Sequence, residues 1–386
     1  MSGRFRAVQC AGVLLAVAAC VNVAAGVRIS LTQPWRASDL WAMNDWCRGW
    51  LLGGQSLYTG LEASTDYPPN AIVLLSPMAL VPHRWLVPMW TAGAVALTPV
   101  LPWLVFRSGS RRRGAALAVP ILMFLCWAAT RTLLQFSLLS MILACVALMI
   151  VDSHWLAGGV ALGLGLMKPH IAGPIALWML VSGRIRPLAA AGAVVLGGWA
   201  IYDLRIGESP LTTAAGYWHV LGSEYAGTDG LVGRTSLRGW TQLMTADAGQ
   251  SDAWWIALSA VVLIAFCVLA ARDRRALDAG GMAIPALFCL WSLLTIYHNG
   301  NNLILMLPAF AFLWCLDDRA LWPSRWLPIV ALQAALMFDV PARMGPWAAS
   351  HDWLRGAVVH FDRVLVMATS AYVAALWWRL SRANNA

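Results

Sequence analysis

Two carboxylates in a short polar segment are the residues of this chain best suited to chemistry. Asp39 and Asp45 follow the first long hydrophobic run, and Tyr67-Pro68-Pro69 closes the same segment. A carboxylate can act as a general base that accepts the proton of an attacking hydroxyl group. Carboxylates in the first loop of a membrane-spanning chain favour chemistry at the membrane surface over simple anchoring. An enzyme is therefore the leading interpretation.

The composition of the chain places these residues in a membrane protein. Of the 386 residues, 60% are hydrophobic and only 12% are charged, and such a chain cannot hide its apolar surface in water. The formal charge of +9 comes mostly from arginine clusters beside hydrophobic runs. That pattern is typical of the positive-inside rule and does not indicate nucleic-acid binding.

The cysteines do not suggest a disulfide framework or a metal site. Seven of the eight lie inside apolar runs, where a thiol behaves as a small hydrophobic group, and only Cys47 lies in an expected outer loop. We expect no disulfide, no zinc or other metal, and no cofactor.

Placing every basic cluster on the cytoplasmic side predicts an all-α integral membrane protein with about twelve spans and one domain over residues 1–386. The length of the first run, Ala7 to Val27, favours an uncleaved helix over a signal peptide. The apolar stretch from Pro68 to Pro82 is expected to be re-entrant or interfacial. The predicted outer loops are 28–67, 203–252 and 341–360. The predicted spans are 7–27, 85–106, 114–129, 133–151, 154–167, 169–183, 187–202, 253–271, 282–297, 302–316, 326–340 and 361–379.

This topology places one acid and three potential cations at or near the outer face, although only the loop arginines were used to orient the chain. They are Asp39, Arg131, Lys168 and His298. Ionisable groups at membrane depth are costly and usually face a cavity. The set suits a reaction in which an anionic leaving group is neutralised and an acceptor hydroxyl is deprotonated.

A set of short motifs runs along most of the chain in a fixed order. They are Asp39-Leu40, Gly53-Gly54-Gln55-Ser56-Leu57-Tyr58, Tyr67-Pro68-Pro69 with Leu80-Val81-Pro82, Gln135, Leu166-Met167-Lys168-Pro169, Thr235-Ser236-Leu237-Arg238-Gly239, and Tyr297-His298 before Asn301-Asn302-Leu303. With these motifs the sequence resembles glycosyltransferase family 87, whose members have the GT-C membrane fold and use polyprenyl-phosphate sugars. Two departures are Leu134-Gln135, where members often have Gly-Gln, and Asn302, where some have Asp.

The resemblance implies transfer of a hexose, mannose above all, from a polyprenyl phosphate to an outer-face glycolipid or glycan acceptor in a bacterial inner membrane. Transfer would be an inverting displacement with Asp39 as base. Sugar binding is implied for Asp45, Tyr67 and Gln135. Donor phosphate binding is implied for the three cations, Arg131, Lys168 and His298.

Each residue also has a structural alternative. Asp39 can cap a helix that begins near Leu40, Lys168 can extend from a helix end to the interface, and Tyr67 can belong to a rigid turn. Asp45 fits a structural role better than a catalytic one. Arg131 can anchor the interface, and His298 can form hydrogen bonds at a helix end.

Three other functions compete with mannose transfer. A transporter or lipid flippase also has broken helices and intramembrane charges, but this chain shows no internal repeat of the kind that carriers often have. The other two are a GT-C enzyme with a pentose donor and an assembly subunit without chemistry. The polar and aromatic residues of the 203–252 loop, Glu208 and Tyr217 among them, fit either part of an acceptor site or a cap over the helices.

Overall fold

The computed structural model describes residues 2–33, 38–59, 65–100, 134–227, 238, 241, 248–272, 283–296, 300–309, 312 and 352–383. Within these ranges the regular structure is helical, with no strand. The helices are α1 (Ser2–Thr32), α2 (Ser38–Leu51), α3 (Pro69–Leu75), α4 (His83–Leu97), α5 (Ser137–Ile150), α6 (Trp155–Gly165), α7 (Pro169–Val181), α8 (Ile185–Ile206), α9 (Pro210–Gly227), α10 (Ala248–Arg272), α11 (Ala283–Thr295) and α12 (Asp352–Ala383), with 3-10 helices at Ser76–Leu80 and Gly300–Met306.

The described residues fall into two compact units. One contains those between Val23 and Val100 and between Ala129 and Asp229, and it holds most of the predicted site. In the other, α11 packs against α10 and α12, and the indole Nε1 of Trp291 donates to the carbonyl of Ser259 at 2.9 Å.

The apolar helices make this a membrane protein. Within the described ranges two helical segments, 185–206 and 250–269, are long and apolar enough to cross a bilayer. A third span is added if the pair 69–80 and 83–97, which bends by 118°, counts as one broken crossing. That bend fits the re-entrant or interfacial stretch expected from Pro68 to Pro82. The count of twelve spans, the GT-C arrangement and the single domain stay predictions.

All three of the predicted outer loops contain helical residues. Between 28 and 67, α1 continues to Thr32 and α2 follows, with its buried residues Leu40, Met43, Cys47 and Trp50 on one face. Between 203 and 252, α8 continues to Ile206, α9 occupies 210–227 and α10 begins at Ala248. Much of these stretches is therefore helical, and their place at the outer face stays a prediction. Helix α12 likewise begins at Asp352, inside the predicted 341–360 loop.

Glycines let α6 pack closely on α8. A Cβ atom on Gly159 would lie 2.7 Å from the Cβ of Ala190, and one on Gly163 would lie 2.6 Å from the Cβ of Val194. Real Cβ atoms do not approach that closely, so both positions require glycine. Small residues four apart on a membrane helix permit this close packing, which here fixes the helix leading to Lys168.

Prolines and one left-handed glycine mark the helix boundaries around the site. Pro69, Pro169 and Pro210 each occupy the first turn of a helix, where the missing N–H costs nothing. Gly207 ends α8 with φ of 71°, and its N–H donates to the carbonyl of Asp203 at 2.8 Å. Proline cannot continue the preceding hydrogen-bond ladder, so α6 and α7 are two helices joined at Lys168.

Candidate functional site

Helix α2 presents Asp39 in its first turn, and three side chains hold that helix against the segment from Ile72 to Leu80. The Asn44 amide donates to the carbonyl of Met78 and the Arg48 guanidinium to that of Ala79 at 3.0 Å. The Cys47 thiol lies 3.7 Å from the carbonyl oxygen of Ile72. These contacts fix the start of α2, and with it the position of the carboxylate.

Lys168 lies in the connection between α6 and α7, outside either helix. The Ser140 hydroxyl of α5 donates to the carbonyl of Gly165 at 2.7 Å, and the backbone N–H of Lys168 donates to the same carbonyl at 3.2 Å. The Lys168 side chain is only 8% exposed. A cation buried to that extent is held in place by the fold and needs polar partners.

The amide of Gln135 connects Asp39 to Lys168. Its Nε2 donates to Oδ2 of Asp39 at 2.5 Å, and its Oε1 accepts from the Lys168 ammonium at 3.2 Å. The ammonium also donates to the Ser137 hydroxyl at 3.0 Å. The opposite orientation of the amide would turn its donor toward the ammonium and its acceptor toward the carboxylate. The two charges therefore determine how this side chain is oriented.

Tyr67 forms one wall of the same centre. The Lys168 ammonium lies 5.5 Å from the centroid of the Tyr67 ring, and that ring meets Phe136 edge to face at 5.7 Å between centroids. The Tyr58 hydroxyl donates to the backbone carbonyl of Tyr67 at 2.6 Å. The Tyr67 hydroxyl is buried and has no hydrogen-bond partner within the described part of the chain. A buried hydroxyl of this kind can form a hydrogen bond with a bound molecule.

Asp66 is a second carboxylate of this centre, and the sequence analysis did not single it out. Burial raises its pKa, the positive charge of Lys168 and a hydrogen bond with the backbone oppose that rise, and the negative charge of Asp39 adds to it. Burial also lowers the pKa of Lys168 to about 8, and the charges of Asp39 and Asp66 oppose that shift. An acid directly before Tyr67-Pro68-Pro69 was the signal that could have found it.

Asp45 lies apart from this centre. Six residues along α2 from Asp39, it is turned about 120° around the helix axis, since each residue adds about 100°. It is exposed, and its Oδ1 lies 3.0 Å from Nε2 of His83. The structure thus places Asp45 in a surface pair with the start of α4, which matches the structural alternative. Arg131 and His298 lie outside the described residues.

The candidate residues of the 203–252 loop have structural contacts. The Glu208 carboxylate accepts hydrogen bonds from the hydroxyls of Ser56 at 3.2 Å and Thr59 at 2.6 Å. Tyr217 is buried and meets the rings of Tyr58 and Trp199 edge to face. These contacts fasten the segment after α2 to α8 and α9, which favours the helix-capping alternative.

The described residues contain no group of three or more His, Cys, Asp or Glu side chains placed to hold a metal ion. The centre instead offers a hydrogen-bonded carboxylate, a buried ammonium and a buried hydroxyl. A carboxylate and a cation at the two ends of one amide can accept a proton at one end and bind an anion at the other.

The sequence matches one known protein family over a long stretch. The family model for glycosyltransferase family 87 matches residues 65–276, more than half of the chain. The chain belongs to glycosyltransferase family 87. This confirms the resemblance and makes the protein a glycosyltransferase that acts on a sugar donor and an acceptor. The match includes Tyr67, Gln135 and Lys168 and begins after Asp39. No curated protein and no solved structure matches the chain.

Proposed function

We propose that this family 87 glycosyltransferase moves a hexose, mannose above all, from a polyprenyl phosphate to a glycolipid or glycan acceptor at the outer face of a bacterial inner membrane. The observation that carries the proposal is the hydrogen-bonded path from Asp39 through Gln135 to Lys168. A carboxylate and a buried cation at one site support this function, because displacement of a sugar from a phosphate needs a base for the acceptor hydroxyl and a positive charge beside the leaving phosphate.

Asp39 acts as the general base. Its Oδ2 accepts a hydrogen bond from Gln135, and its Oδ1 lies 3.3 Å from the Ser38 hydroxyl. As the acceptor oxygen attacks the anomeric carbon, its proton passes to the Asp39 carboxylate. The new bond joins the acceptor oxygen to the anomeric carbon, and the bond from that carbon to the phosphate oxygen breaks. One displacement of this kind inverts the configuration of the sugar.

Lys168 binds the phosphate of the donor and stabilises the charge that develops on it. The ammonium is buried, so its attraction for a phosphate is screened less than it would be in water. Among the described residues, Gln135 and Ser137 accept two of its three hydrogen bonds, and the third N–H can donate to a phosphate oxygen. Arg131 and His298 are proposed as further phosphate ligands, on the strength of the motifs alone.

Tyr67 and Gln135 are proposed to contact the sugar. The buried Tyr67 hydroxyl can donate to a sugar hydroxyl, and its ring packs against Phe136, which fixes its direction. Asp45 is exposed and paired with His83, so we propose no direct role for it in transfer.

The donor class is tested by transfer with purified protein in nanodiscs and four labelled donors: polyprenyl-phosphate mannose, polyprenyl-phosphate glucose, polyprenyl-phosphate arabinose and GDP-mannose. Labelled product from polyprenyl-phosphate mannose alone supports the proposal. Transfer from arabinose alone moves the enzyme to the pentose class. Transfer from GDP-mannose alone overturns the lipid-linked donor.

A further inference from the structure

The short segment that follows α2, residues 56–59, is held from several sides. The hydroxyl groups at its two ends both donate to the carboxylate of Glu208, in the turn between α8 and α9. Between them, the backbone N–H of Leu57 donates to the Tyr202 hydroxyl of α8 at 2.8 Å. The segment is therefore fixed to α8 and to the turn that follows it.

Tyr58 lies within this segment, and its ring and its hydroxyl have different partners. The buried ring packs against those of Tyr202 and Tyr217, with centroids 5.4 Å and 5.7 Å away, and these three rings form an aromatic cluster. A phenylalanine ring could make the same ring contacts. The hydroxyl instead donates to the backbone carbonyl of Tyr67 at 2.6 Å. Burying a hydroxyl is costly unless it forms a hydrogen bond, so this bond gives a physical reason for tyrosine at position 58.

Tyr67 begins a stiff segment of the backbone. Tyr67 and Pro68 each precede a proline, which restricts both to extended conformations, and Pro68 has φ of −71° and ψ of 157°. Neither Pro68 nor Pro69 has an N–H that could donate to the Tyr67 carbonyl. Because the backbone is restricted at these residues, a hydrogen bond to this carbonyl also constrains where the Tyr67 ring lies.

We infer that Tyr58 is a positioning residue for sugar transfer, whose hydroxyl holds Tyr67 where the Tyr67 hydroxyl meets the sugar. The inference rests on the sugar contact proposed for Tyr67 above. The Tyr67 ring lies 5.5 Å from the Lys168 ammonium, so a displacement of its backbone moves it relative to the charged centre. Tyr58 acts through Tyr67 and not on the substrate.

This role makes the effect of one hydroxyl depend on the other. If Tyr58 acts by placing the Tyr67 hydroxyl, then removing the Tyr58 hydroxyl weakens the contribution that the Tyr67 hydroxyl makes to transfer. Once the Tyr67 hydroxyl is absent, that contribution is already lost, and removing the Tyr58 hydroxyl costs nothing more. A purely structural role for Tyr58 would lower transfer by the same factor in both cases, because independent effects add in free energy.

The test is a double-mutant cycle with Tyr58→Phe and Tyr67→Phe, measured as kcat/KM for sugar transfer in nanodiscs. We expect each single variant to lose about threefold to tenfold, the usual effect of one hydrogen bond, and the double variant to lose no more than Tyr67→Phe alone. The inference is overturned if Tyr58→Phe has the same effect with and without the Tyr67 hydroxyl. It is also overturned if either single variant keeps the wild-type kcat/KM.

Tyr202→Phe is the matched control. It removes another buried hydroxyl of the aromatic cluster, one that accepts a hydrogen bond from the neighbouring residue, Leu57. Its effect on kcat/KM should be the same whether or not the Tyr67 hydroxyl is present. If Tyr202→Phe depends on the Tyr67 hydroxyl as strongly as Tyr58→Phe does, the effect belongs to the cluster as a whole and the inference is wrong.

Two further variants keep the test decisive if Tyr58→Phe folds poorly. In para-aminophenylalanine an amino group replaces the hydroxyl and can still donate, whereas in para-fluorophenylalanine a fluorine fills the same space and cannot donate. With the amino side chain at position 58, kcat/KM should stay near the wild-type value, and with the fluoro side chain it should fall as in Tyr58→Phe. Equal activities of the two variants, with equal midpoints of thermal unfolding, overturn the inference.

The cycle can be run with whichever donor the enzyme uses, so it separates two failures. If the wild type transfers mannose from polyprenyl phosphate and the two hydroxyls act independently, the inference is wrong and the proposed function stands. If only another donor is used and the two hydroxyls depend on each other, the positioning role stands and the proposed donor is wrong.

Discussion

The carboxylate of Asp39 and the ammonium of Lys168 form hydrogen bonds with opposite ends of one amide group, that of Gln135. They come from helix α2 and from the connection between α6 and α7, far apart in the sequence. The amide separates the two charges, so the carboxylate can accept a proton while the ammonium binds an anion. The proposed base and the proposed phosphate ligand are thus joined through one side chain.

Removing the Gln135 amide should break the hydrogen-bonded connection between Asp39 and Lys168. Gln135→Leu keeps the approximate volume of the side chain and deletes both hydrogen bonds. We expect kcat/KM for transfer to fall by about 10²–10⁴, since hydrogen bonds to charged groups contribute roughly 1.5–3 kcal/mol each and this variant removes two. Steady-state kinetics in nanodiscs measures this. Ser137→Ala is the matched control, because it removes one hydrogen bond of Lys168 and leaves Gln135 in place between the two charges, so its effect should be smaller. Equal losses in the two variants would contradict the role of the bridge.

The charge of Lys168 should matter for donor binding. Lys168→Met keeps the length of the side chain and removes its charge. We expect the donor KM to rise about tenfold to a hundredfold, which corresponds to the loss of a charge-assisted hydrogen bond of roughly 1.5–3 kcal/mol. The KM for the acceptor should change little. An unchanged donor KM would show that Lys168 does not contact the phosphate.

The pH dependence of kcat/KM should report on the same lysine. Burial lowers its pKa to about 8, and only the protonated ammonium binds phosphate. As the pH rises through about 8 the free enzyme loses that charge, so kcat/KM should fall, approaching tenfold per pH unit above it. In Lys168→Arg the guanidinium stays protonated, so kcat/KM should no longer fall in this pH range, even if the variant is less active. If kcat/KM of Lys168→Arg still falls near pH 8, another group is responsible for the decrease.

The packing of α6 on α8 gives a prediction for stability. Gly159→Ala would bring a methyl group to 2.7 Å from the Cβ of Ala190, and overpacking of this kind costs about 1–3 kcal/mol. We expect a lower midpoint of thermal unfolding in detergent. Gly197→Ala, at an exposed helical position with open space around its Cβ, should leave the midpoint unchanged or raise it. A stable Gly159→Ala variant would show that the two helices can separate without cost.

Much of the site could be predicted from the sequence, because its residues lie in motifs that keep their order along the chain. Asp39, Tyr67, Gln135 and Lys168 were all singled out, and the structure brings them together. Composition identified the helical membrane protein, and Lys168-Pro169 marked the break between α6 and α7. Arg131 and His298 stay predictions, since they lie outside the described residues.

Other features could not be predicted in the same way. The bridging position of Gln135 depends on contacts between segments distant in sequence, which spacing does not encode. Helix α2 was foreseen only as a structural alternative for Asp39, because its apolar residues follow helical spacing within a polar stretch, whereas the span predictions relied on continuous apolar runs. The spacing of Leu40, Met43, Cys47 and Trp50 was the available signal.

The most direct test of the account is sugar transfer from labelled polyprenyl-phosphate mannose by Asp39→Asn, with Asp45→Asn as the matched control on the same helix. Asn keeps the shape of the side chain and cannot accept the proton. We predict that Asp39→Asn lowers kcat by about 10²–10⁴, the usual contribution of a general base, while expression and donor binding are preserved. Asp45→Asn should retain wild-type activity. Full activity in Asp39→Asn would contradict the central claim, and so would equal losses in both variants.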